Sequence, residues 1–144
     1  MLFRSRGLTF DPANYPAVVS DSYTYDGTLY GVPKDYTTVV MFYNKAIFER
    51  AGVDLPTDEW TWDDFSDAAA DISAALSGEG VYGAVMPYSG QSAYYNTIFQ
   101  AGGHVISEDG TSSGYGEPEA IEGIQFITDL VADGSIPEIG RAHV

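Results

Sequence analysis

The chain has 144 residues, enough for one ordinary domain with a hydrophobic core. Its 21 Asp and Glu outnumber its 6 Lys and Arg, and the formal net charge of −15 argues against nucleic acid as a partner, because phosphate binding requires clustered cations. The chain has no Cys, which excludes a disulfide framework, a thiolate metal site and a cysteine nucleophile. No run of about 18 apolar residues occurs, so the sequence predicts no direct membrane insertion in this segment.

The two ends differ in character from the rest of the chain. Residues 1–5 and 138–144 contain two of the six basic residues, Arg4 and Arg141. Their sequences match the translation of a short-read sequencing adapter and of its complement. We therefore expect both tails to be adapter-derived and foreign to the fold. The remainder is then expected to be an internal piece of a longer protein.

The first third of the chain is predicted to contain extended structure. Residues 6–20 include two prolines and show no sustained periodicity, which predicts an irregular segment. An Asp-Gly turn between the runs 22–25 and 28–32 predicts a β-hairpin. Residues 37–43 are β-branched and aromatic, a composition typical of a buried strand.

Four helices are predicted in the rest of the chain. Their expected ranges are residues 45–51, 62–76, 91–101 and 118–132. Asn44 can cap the first of them and Gly52 can end it. Thr61 and Asp64 resemble a capping box at the start of the second, and Pro118 suits the first turn of the last.

Short strands at residues 81–86 and 105–106 are predicted between these helices. The alternation of strands with helices indicates the α/β fold class. The last helix is expected to turn its larger apolar side chains inward. These side chains are Ile121, Ile124, Ile127 (or Thr128) and Val131.

An acidic row lies on the second predicted helix. It consists of Asp63, Asp64, Asp67 and Asp71. Carboxylate oxygens suit Ca²⁺, but the calcium-loop pattern is absent, and the dipole at a helix start favours acids. We expect a solvated flank and no metal site. Neither a G-x-S-x-G nucleophile elbow nor a phosphate-binding loop occurs.

Two segments, residues 34–38 and 87–96, combine aromatic rings with amides and hydroxyls. This mixture binds neutral polyols such as sugars, because flat rings cover apolar C–H patches while polar groups pair with hydroxyls. The same tyrosines could instead be partly buried core residues. Composition leaves both interpretations open.

A series of short motifs resembles a known family. The motifs are Tyr30-Gly31-Val32-Pro33-Lys34-Asp35, Phe42-Tyr43-Asn44-Lys45, Trp60-Thr61-Trp62-Asp63-Asp64-Phe65, Phe99-Gln100-Ala101-Gly102-Gly103 and Pro118-Glu119-Ala120-Ile121-Glu122-Gly123. In this order and spacing the chain resembles the extracellular solute-binding proteins of ABC transporters, specifically the carbohydrate-binding group that includes maltose-binding protein.

The resemblance implies a partial periplasmic-binding-protein-like fold. In such proteins two α/β lobes close about a hinge on a ligand in the cleft between them. Residues 6–36 would be the end of the first lobe and the hinge approach, and residues 37–137 the first half of the second lobe. The whole protein would be a periplasmic or extracellular sugar receptor that needs no cofactor. It would pass a mono- or oligosaccharide to ABC permease subunits, and a missing N-terminal segment could carry a lipid anchor.

The resemblance also implies ligand contacts at particular positions. These are Asp35, Tyr36, Thr37, Gln91, Tyr94, Tyr95 and Asn96. Maltose-binding protein has Glu where Thr37 stands, so the acidic contact is expected at Asp35. Asp35 and Gln91 would hydrogen-bond the sugar, and Tyr94 or Tyr95 would stack on it. Trp60 and Trp62 are expected to pack within the protein. The alternatives are a glycoside hydrolase with an aromatic subsite, or a polypeptide- or metal-binding relative of the same fold.

Overall fold

Residues 11–86 and 93–138 are described by a computed structural model, in which the chain divides into two units. The first unit ends at Met41 and the second begins at Phe42.

The first unit opens with two short helical segments. A 3-10 turn spans Pro12–Asn14, and helix α1 spans Ala17–Asp21. Residues 6–20 were predicted to be irregular, and this prediction is wrong over these two segments. The prolines explain the difference: Pro12 opens the turn and Pro16 precedes α1, and a proline ring is compatible with the start of a helix although it breaks the interior.

The predicted hairpin follows and is confirmed. Strand β1, Thr24–Tyr25, pairs antiparallel with strand β2, Thr28–Leu29. The turn residues Asp26 and Gly27 have φ angles of 47° and 69°, and a tight two-residue hairpin turn requires such positive angles. Each strand is only two residues long, shorter than the runs that the sequence predicts.

Residues 37–43, predicted to form a buried strand, have no strand pairing in the structure. Their apolar side chains are exposed, with Phe42 reaching 89%. β-Branched and aromatic residues favour a strand only where a neighbouring strand accepts their hydrogen bonds and covers their faces. No neighbour within the described part of the chain does so, and the prediction is wrong for this structure.

The other two predicted strands are also reduced. Residues 81–86 form no strand; Ala84 N–H donates to the carbonyl of Ser135 at 3.0 Å. Residues 105–106 are represented by a single antiparallel bridge between Ile106 and Ser113. The intervening turn passes through Gly110, which has a φ of 71°.

Helices dominate the second unit. They are α2, Lys45–Ala51; α3, Trp62–Ala75; α4, Tyr94–Gln100; and α5, Pro118–Ala132. A 3-10 turn, Ser77–Glu79, follows α3. The predicted ranges of α2 and α5 are confirmed, and that of α3 differs only at Leu76, which caps the helix. The predicted range 91–101 begins outside the described residues, and α4 occupies its later part.

The predicted helix ends are confirmed. The Asn44 side chain accepts a hydrogen bond from the backbone N–H of Ala46 at 3.0 Å, and Gly52 ends α2 with a φ of 71°. Thr61 and Asp64 form a reciprocal capping box: Asp64 N–H donates to the Thr61 hydroxyl, and Thr61 N–H donates to the Asp64 carboxylate. These bonds satisfy backbone donors that a helix start leaves unpaired.

Two hydrophobic clusters hold the second unit together, and α3 contributes to both. The first contains Phe48, Ile72 and Leu76. The second contains Ile127, Leu130 and Ile136, with Phe65, Phe126 and Tyr94 packed against it. Burial of each large apolar side chain contributes about 1.5–3 kcal/mol, so these contacts fix α4 and α5 relative to α3.

The inward face of α5 differs from the prediction. The prediction is confirmed for Ile127, which is buried together with Ala120, Gly123 and Leu130. Ile124 and Val131 are half-buried, whereas Ile121 is 54% exposed. The reason is the close approach of α4: a Cβ at Gly123 would lie 2.6 Å from the backbone nitrogen of Ile98. Helices this close require small residues where they touch, so the bulkier side chains of α5 point away from the contact with α4.

Ser73 ties residues 81–86 to α3. Its hydroxyl accepts from the backbone N–H of Gly83 at 2.7 Å and donates to the carbonyl of Ser135 at 3.3 Å. Gly83 approaches so closely that a Cβ there would lie 1.9 Å from the carbonyl oxygen of Ala69. Residues 81–86 therefore pack directly against the backbone of α3.

Candidate ligand-binding site

Three of the predicted contact residues lie in the first unit, two to four positions after Pro33, which is fully buried. The Asp35 carboxylate pairs with the Lys34 ammonium at 3.2 Å, and the two side chains are 71% and 92% exposed. Tyr36 is 65% exposed and Thr37 is also exposed. An ion pair this open contributes little to stability, so the Asp35 oxygens can exchange Lys34 for another hydrogen-bond donor.

Three other predicted contact residues, Tyr94, Tyr95 and Asn96, form the first turn of α4 and are half-buried. The residues that follow, Thr97 and Ile98, are buried against α5. This contact fixes the helix while its first turn remains partly accessible. The remaining predicted contact, Gln91, lies outside the described residues.

Tyr94 and Tyr95 meet a third tyrosine, Tyr115, from the loop before α5. The ring centroids are 5.2 Å apart for Tyr94 and Tyr95, 6.3 Å for Tyr94 and Tyr115, and 6.5 Å for Tyr95 and Tyr115. The interplanar angles of 54° to 73° are the tilted and edge-on arrangements that aromatic pairs prefer. We call these three residues the tyrosine cluster.

Hydrogen bonding with the Tyr95 side chain, and secondarily desolvation, raises the pKa of the Tyr115 hydroxyl. That hydroxyl therefore stays protonated and neutral well into the alkaline range. The cluster offers aromatic faces and neutral hydroxyl groups, and Asn96 adds an amide beside them. These groups recognise uncharged polar molecules through hydrogen bonds.

Tyr115 is absent from the contacts predicted from the sequence. The signal available for it is its position between Gly114 and Gly116, directly before the well-predicted helix α5. The structure thus brings Tyr94, Tyr95 and Asn96 together on α4 and adds Tyr115. Asp35, Tyr36 and Thr37 are contiguous in the first unit.

Both tryptophans pack within the protein, as predicted. Trp60 packs against the first hydrophobic cluster, its ring 6.2 Å from that of Phe48. Trp62 stacks on Phe126 at 4.4 Å, and its indole N–H donates to the Gln100 side chain at 2.9 Å. The Trp62 contacts join α3 to α4 and α5, and the Trp60 contact reaches Phe48 of α2.

The acidic row on α3 is exposed at all four positions, which confirms the predicted solvated flank. Hydrogen bonds from the Thr61 side chain and backbone lower the pKa of Asp64, whose role is the capping box. Within residues 11–86 and 93–138, no three acidic or histidine side chains converge on a possible metal position. No helix in the same ranges is long and apolar enough to cross a membrane.

Cations are distributed very unevenly. The sequence contains neither Lys nor Arg between Arg50 and Arg141. Arg50 itself forms an ion pair with Glu79. The tyrosine cluster thus belongs to a long stretch of chain that carries no permanent positive charge.

The sequence matches the bacterial extracellular solute-binding protein family over residues 7–138. The chain belongs to this family, which is extracellular and whose members bind solutes. Solved structures of its relatives confirm the periplasmic-binding-protein-like fold class that the motifs predict.

Relatives of known description bind different solutes. An arabinooligosaccharide-binding protein of Halalkalibacterium halodurans is 32% identical over 84% of this chain and 27% of its own length. A periplasmic sn-glycerol-3-phosphate-binding protein of Shigella flexneri is 28% identical over 97% of this chain and 33% of its own. An ABC substrate-binding protein of Listeria monocytogenes, solved in complex with cycloalternan, is 32% identical with a TM-score of 0.79 over 94% of this chain and 34% of its own. The chain thus spans about a third of the length of these relatives or less.

Proposed function

We propose that this chain is part of a longer receptor that binds a neutral saccharide and delivers it to the permease subunits of an ABC importer. Residues 6–36 would end the first lobe, and residues 37–137 would form the first half of the second, with the tails 1–5 and 138–144 foreign to both. Sugar binding would favour the closed state, and different permease contacts of the open and closed states would couple binding to transport.

The tyrosine cluster is the observation that carries this proposal. Sugar rings have apolar C–H faces and hydroxyl edges, and tyrosine matches both with its ring and its hydroxyl. Tyr94 and Tyr95 would provide the stacking surface and Asn96 a hydrogen bond. Asp35, Tyr36, Thr37 and Gln91 would complete the site with polar contacts from other segments.

The distribution of charge favours a neutral ligand over a phosphorylated one. A phosphate group in a binding site is held by Arg or Lys side chains in charge-assisted hydrogen bonds. The stretch that contains the tyrosine cluster has no such residue between Arg50 and Arg141. Lys34, beside Asp35, is paired with that carboxylate. We therefore infer that the tyrosine cluster contacts an uncharged part of the ligand, such as the sugar rings of the oligosaccharides that the Halalkalibacterium and Listeria relatives bind.

The receptor would perform no chemistry on its ligand. It would lie in the periplasm or outside the cell, where a lipid anchor on a preceding segment could retain it. Incubation of the full-length receptor with oligosaccharides, followed by chromatography, tests whether the receptor cleaves its ligand. Unchanged oligosaccharides are expected, and products that accumulate in proportion to protein would favour the glycoside hydrolase.

A ligand panel tests the proposal as a whole. Thermal unfolding of the full-length receptor is measured with cycloalternan, arabinooligosaccharides, monosaccharides, sn-glycerol 3-phosphate, a peptide mixture and Ca²⁺. A ligand that binds only the native state raises the unfolding temperature. We expect a rise with at least one neutral saccharide. A rise only with the phosphate, the peptides or the cation would contradict the proposal.

A further inference from the structure

We propose that a shallow groove between the start of α3 and the exposed face of α5 is a docking surface for a basic extracellular segment of the ABC permease. We call it the α3–α5 groove. This inference rests on the proposed function, which requires a contact between the receptor and its permease, and it assigns that contact to particular residues of the second unit.

The floor of the α3–α5 groove is apolar and aromatic. It is formed by Trp62 of α3 and by Pro118, Ile121 and Phe126 of α5. Ile121 is 54% exposed, and Pro118 is exposed as well. Apolar side chains scattered singly on a surface are ordinary, whereas a group of them with polar residues around it is typical of an interaction site.

The aromatic part of the floor is held in place from below. The Trp62 and Phe126 rings stack with centroids 4.4 Å apart, and the Trp62 indole N–H donates to the Gln100 side chain at 2.9 Å. Phe126 also contacts the ring of Phe65 at 6.1 Å and packs against the second hydrophobic cluster. Side chains that are already ordered lose little conformational entropy when a partner binds, and Trp is among the residues that contribute most at protein interfaces.

The rim of the α3–α5 groove is acidic. Glu122 and Asp129 line it, and both are exposed. The Gln125 amide donates to the Asp129 carboxylate at 2.6 Å and to the Thr128 hydroxyl at 3.1 Å, which orients this part of the rim. No Lys or Arg is among the residues that line the groove. Its charge is therefore complementary to a partner that carries Lys or Arg.

The shape of the groove suits a protein segment better than a small molecule. Small-molecule sites enclose most of the ligand surface, whereas the helix residues that line this groove are largely open to solvent. An Arg or Lys of the partner can pair with Glu122 or Asp129 while its methylene stem covers Ile121 and Trp62. Among the partners of an importer receptor, the permease is the one that offers such a segment outside the membrane.

The test measures how the receptor stimulates its permease. The permease complex of the same importer is reconstituted in lipid nanodiscs, and ATP hydrolysis is followed while full-length receptor is titrated in the presence of a saturating saccharide. The variants are Glu122→Lys and Ile121→Gln, which keep good helix formers at exposed positions of α5. Asp54→Lys is the matched control, since it makes the same charge change at an exposed position of the loop between α2 and α3.

We expect both groove variants to dock more weakly. Glu122→Lys should raise the receptor concentration for half-maximal stimulation by about threefold to tenfold, because it replaces attraction by repulsion. Ile121→Gln should raise it by about fivefold, as expected for the loss of an apolar contact at an interface. Asp54→Lys should behave as the wild type does. Saccharide affinity by calorimetry and the urea midpoint should be unchanged in all three.

The outcomes separate this inference from the proposed function. If the wild-type receptor stimulates ATP hydrolysis and both groove variants do so at the same concentration, the inference is overturned and the proposed function stands. Equal weakening by Asp54→Lys and Glu122→Lys would also overturn it, because net charge alone would then explain the effect. If the saccharide-loaded wild type does not stimulate the permease at all, the proposed function fails and the docking surface fails with it.

Two other occupants of the groove are also excluded or revealed by these variants. If Ile121→Gln lowers the urea midpoint of the full-length receptor, another part of the receptor's own chain covers the groove, and the inference is overturned. Sedimentation of the wild type and of Ile121→Gln tests for a second copy. A wild-type dimer that Ile121→Gln converts to a monomer would overturn the inference in the same way, whereas monomers in both cases support it.

Discussion

Substitution of Gly123 by Ala tests the contact that fixes α4 and hence the tyrosine cluster. The added methyl group would point at the backbone of α4. Its nearest atoms would be the nitrogen of Ile98 and the carbonyl carbon of Thr97, both at 2.6 Å, and the carbonyl oxygen of Thr97 at 2.7 Å. Since all three are backbone atoms, no rotamer change relieves the clash.

The magnitude follows from this geometry. An ordinary contact begins at 3.4 Å, so a distance of 2.6 Å requires the helices to separate by about 0.8 Å. Such overpacking costs about 1–3 kcal/mol, and a clash with three backbone atoms belongs at the upper end of that range, about 2–3 kcal/mol. Ala is the better helix former by about 1 kcal/mol, which offsets part of that cost. We expect a net loss of about 1–2 kcal/mol in the free energy of unfolding.

Urea denaturation of the full-length receptor measures this loss, with Gly78→Ala as the matched control. Gly78 lies in the 3-10 turn after α3, and a Cβ there would meet no atom within 4 Å. The control should stay within about 0.5 kcal/mol of the wild type. Saccharide affinity should fall in Gly123→Ala only. A Gly123→Ala receptor as stable as the wild type would refute the close contact of α4 with α5.

Other variants test the remaining parts of the second unit. Ile72→Ala empties a position that is 1% exposed and should cost about 2–5 kcal/mol in urea denaturation; a loss below 1 kcal/mol would contradict its place in the core. Thr61→Val should cost about 1 kcal/mol near neutral pH. Because the pKa of Asp64 is lowered below its ordinary 3.8 on folding, the capping box stabilises the protein above that pH and loses its effect as the pH falls further. The stability difference between Thr61→Val and the wild type should therefore shrink in acid. A difference that stays constant with pH would show that the Asp64 carboxylate takes no part in the capping box. Trp62→Phe removes the hydrogen bond to Gln100 and should cost about 1 kcal/mol without a change in saccharide affinity; weaker binding would make Trp62 a ligand contact.

Local signals in the sequence predicted the helices well. The start of α2 at Asn44, its end at Gly52 and the Thr61–Asp64 capping box all depend on residues a few positions apart. The Asp-Gly hairpin is equally local. Such features are decided by backbone chemistry within one turn, and therefore a sequence is sufficient to place them.

Features that depend on distant partners were predicted poorly. Residues 37–43 have strand composition, but a strand also requires a hydrogen-bonded neighbour, which no periodicity reports. The inward face of α5 was misjudged because Gly123 packs against α4, a contact between segments far apart in sequence. A preference for bulky inward side chains does not anticipate a helix pair that needs a glycine.

The candidate site also combines residues that local signals predict with one that depends on a distant partner. Tyr94, Tyr95 and Asn96 were predicted from a polar-aromatic segment and from the family resemblance, and they lie together on α4. Tyr115 reaches them from a loop about twenty residues further along the chain. Its only local signal is a pair of flanking glycines, and one of these, Gly114, proves to be the close contact with His104.

The most direct test of the central claim is calorimetry on the full-length receptor and two variants, Tyr95→Ala and Asp35→Ala. Cycloalternan, arabinooligosaccharides and sn-glycerol 3-phosphate are titrated into each. A neutral saccharide should bind the wild type, and loss of a stacking ring should weaken it by about tenfold or more. Asp35→Ala should weaken it through a lost charge-assisted hydrogen bond. Tight binding of the phosphate alone, or saccharide affinity unchanged in both variants, would contradict the account.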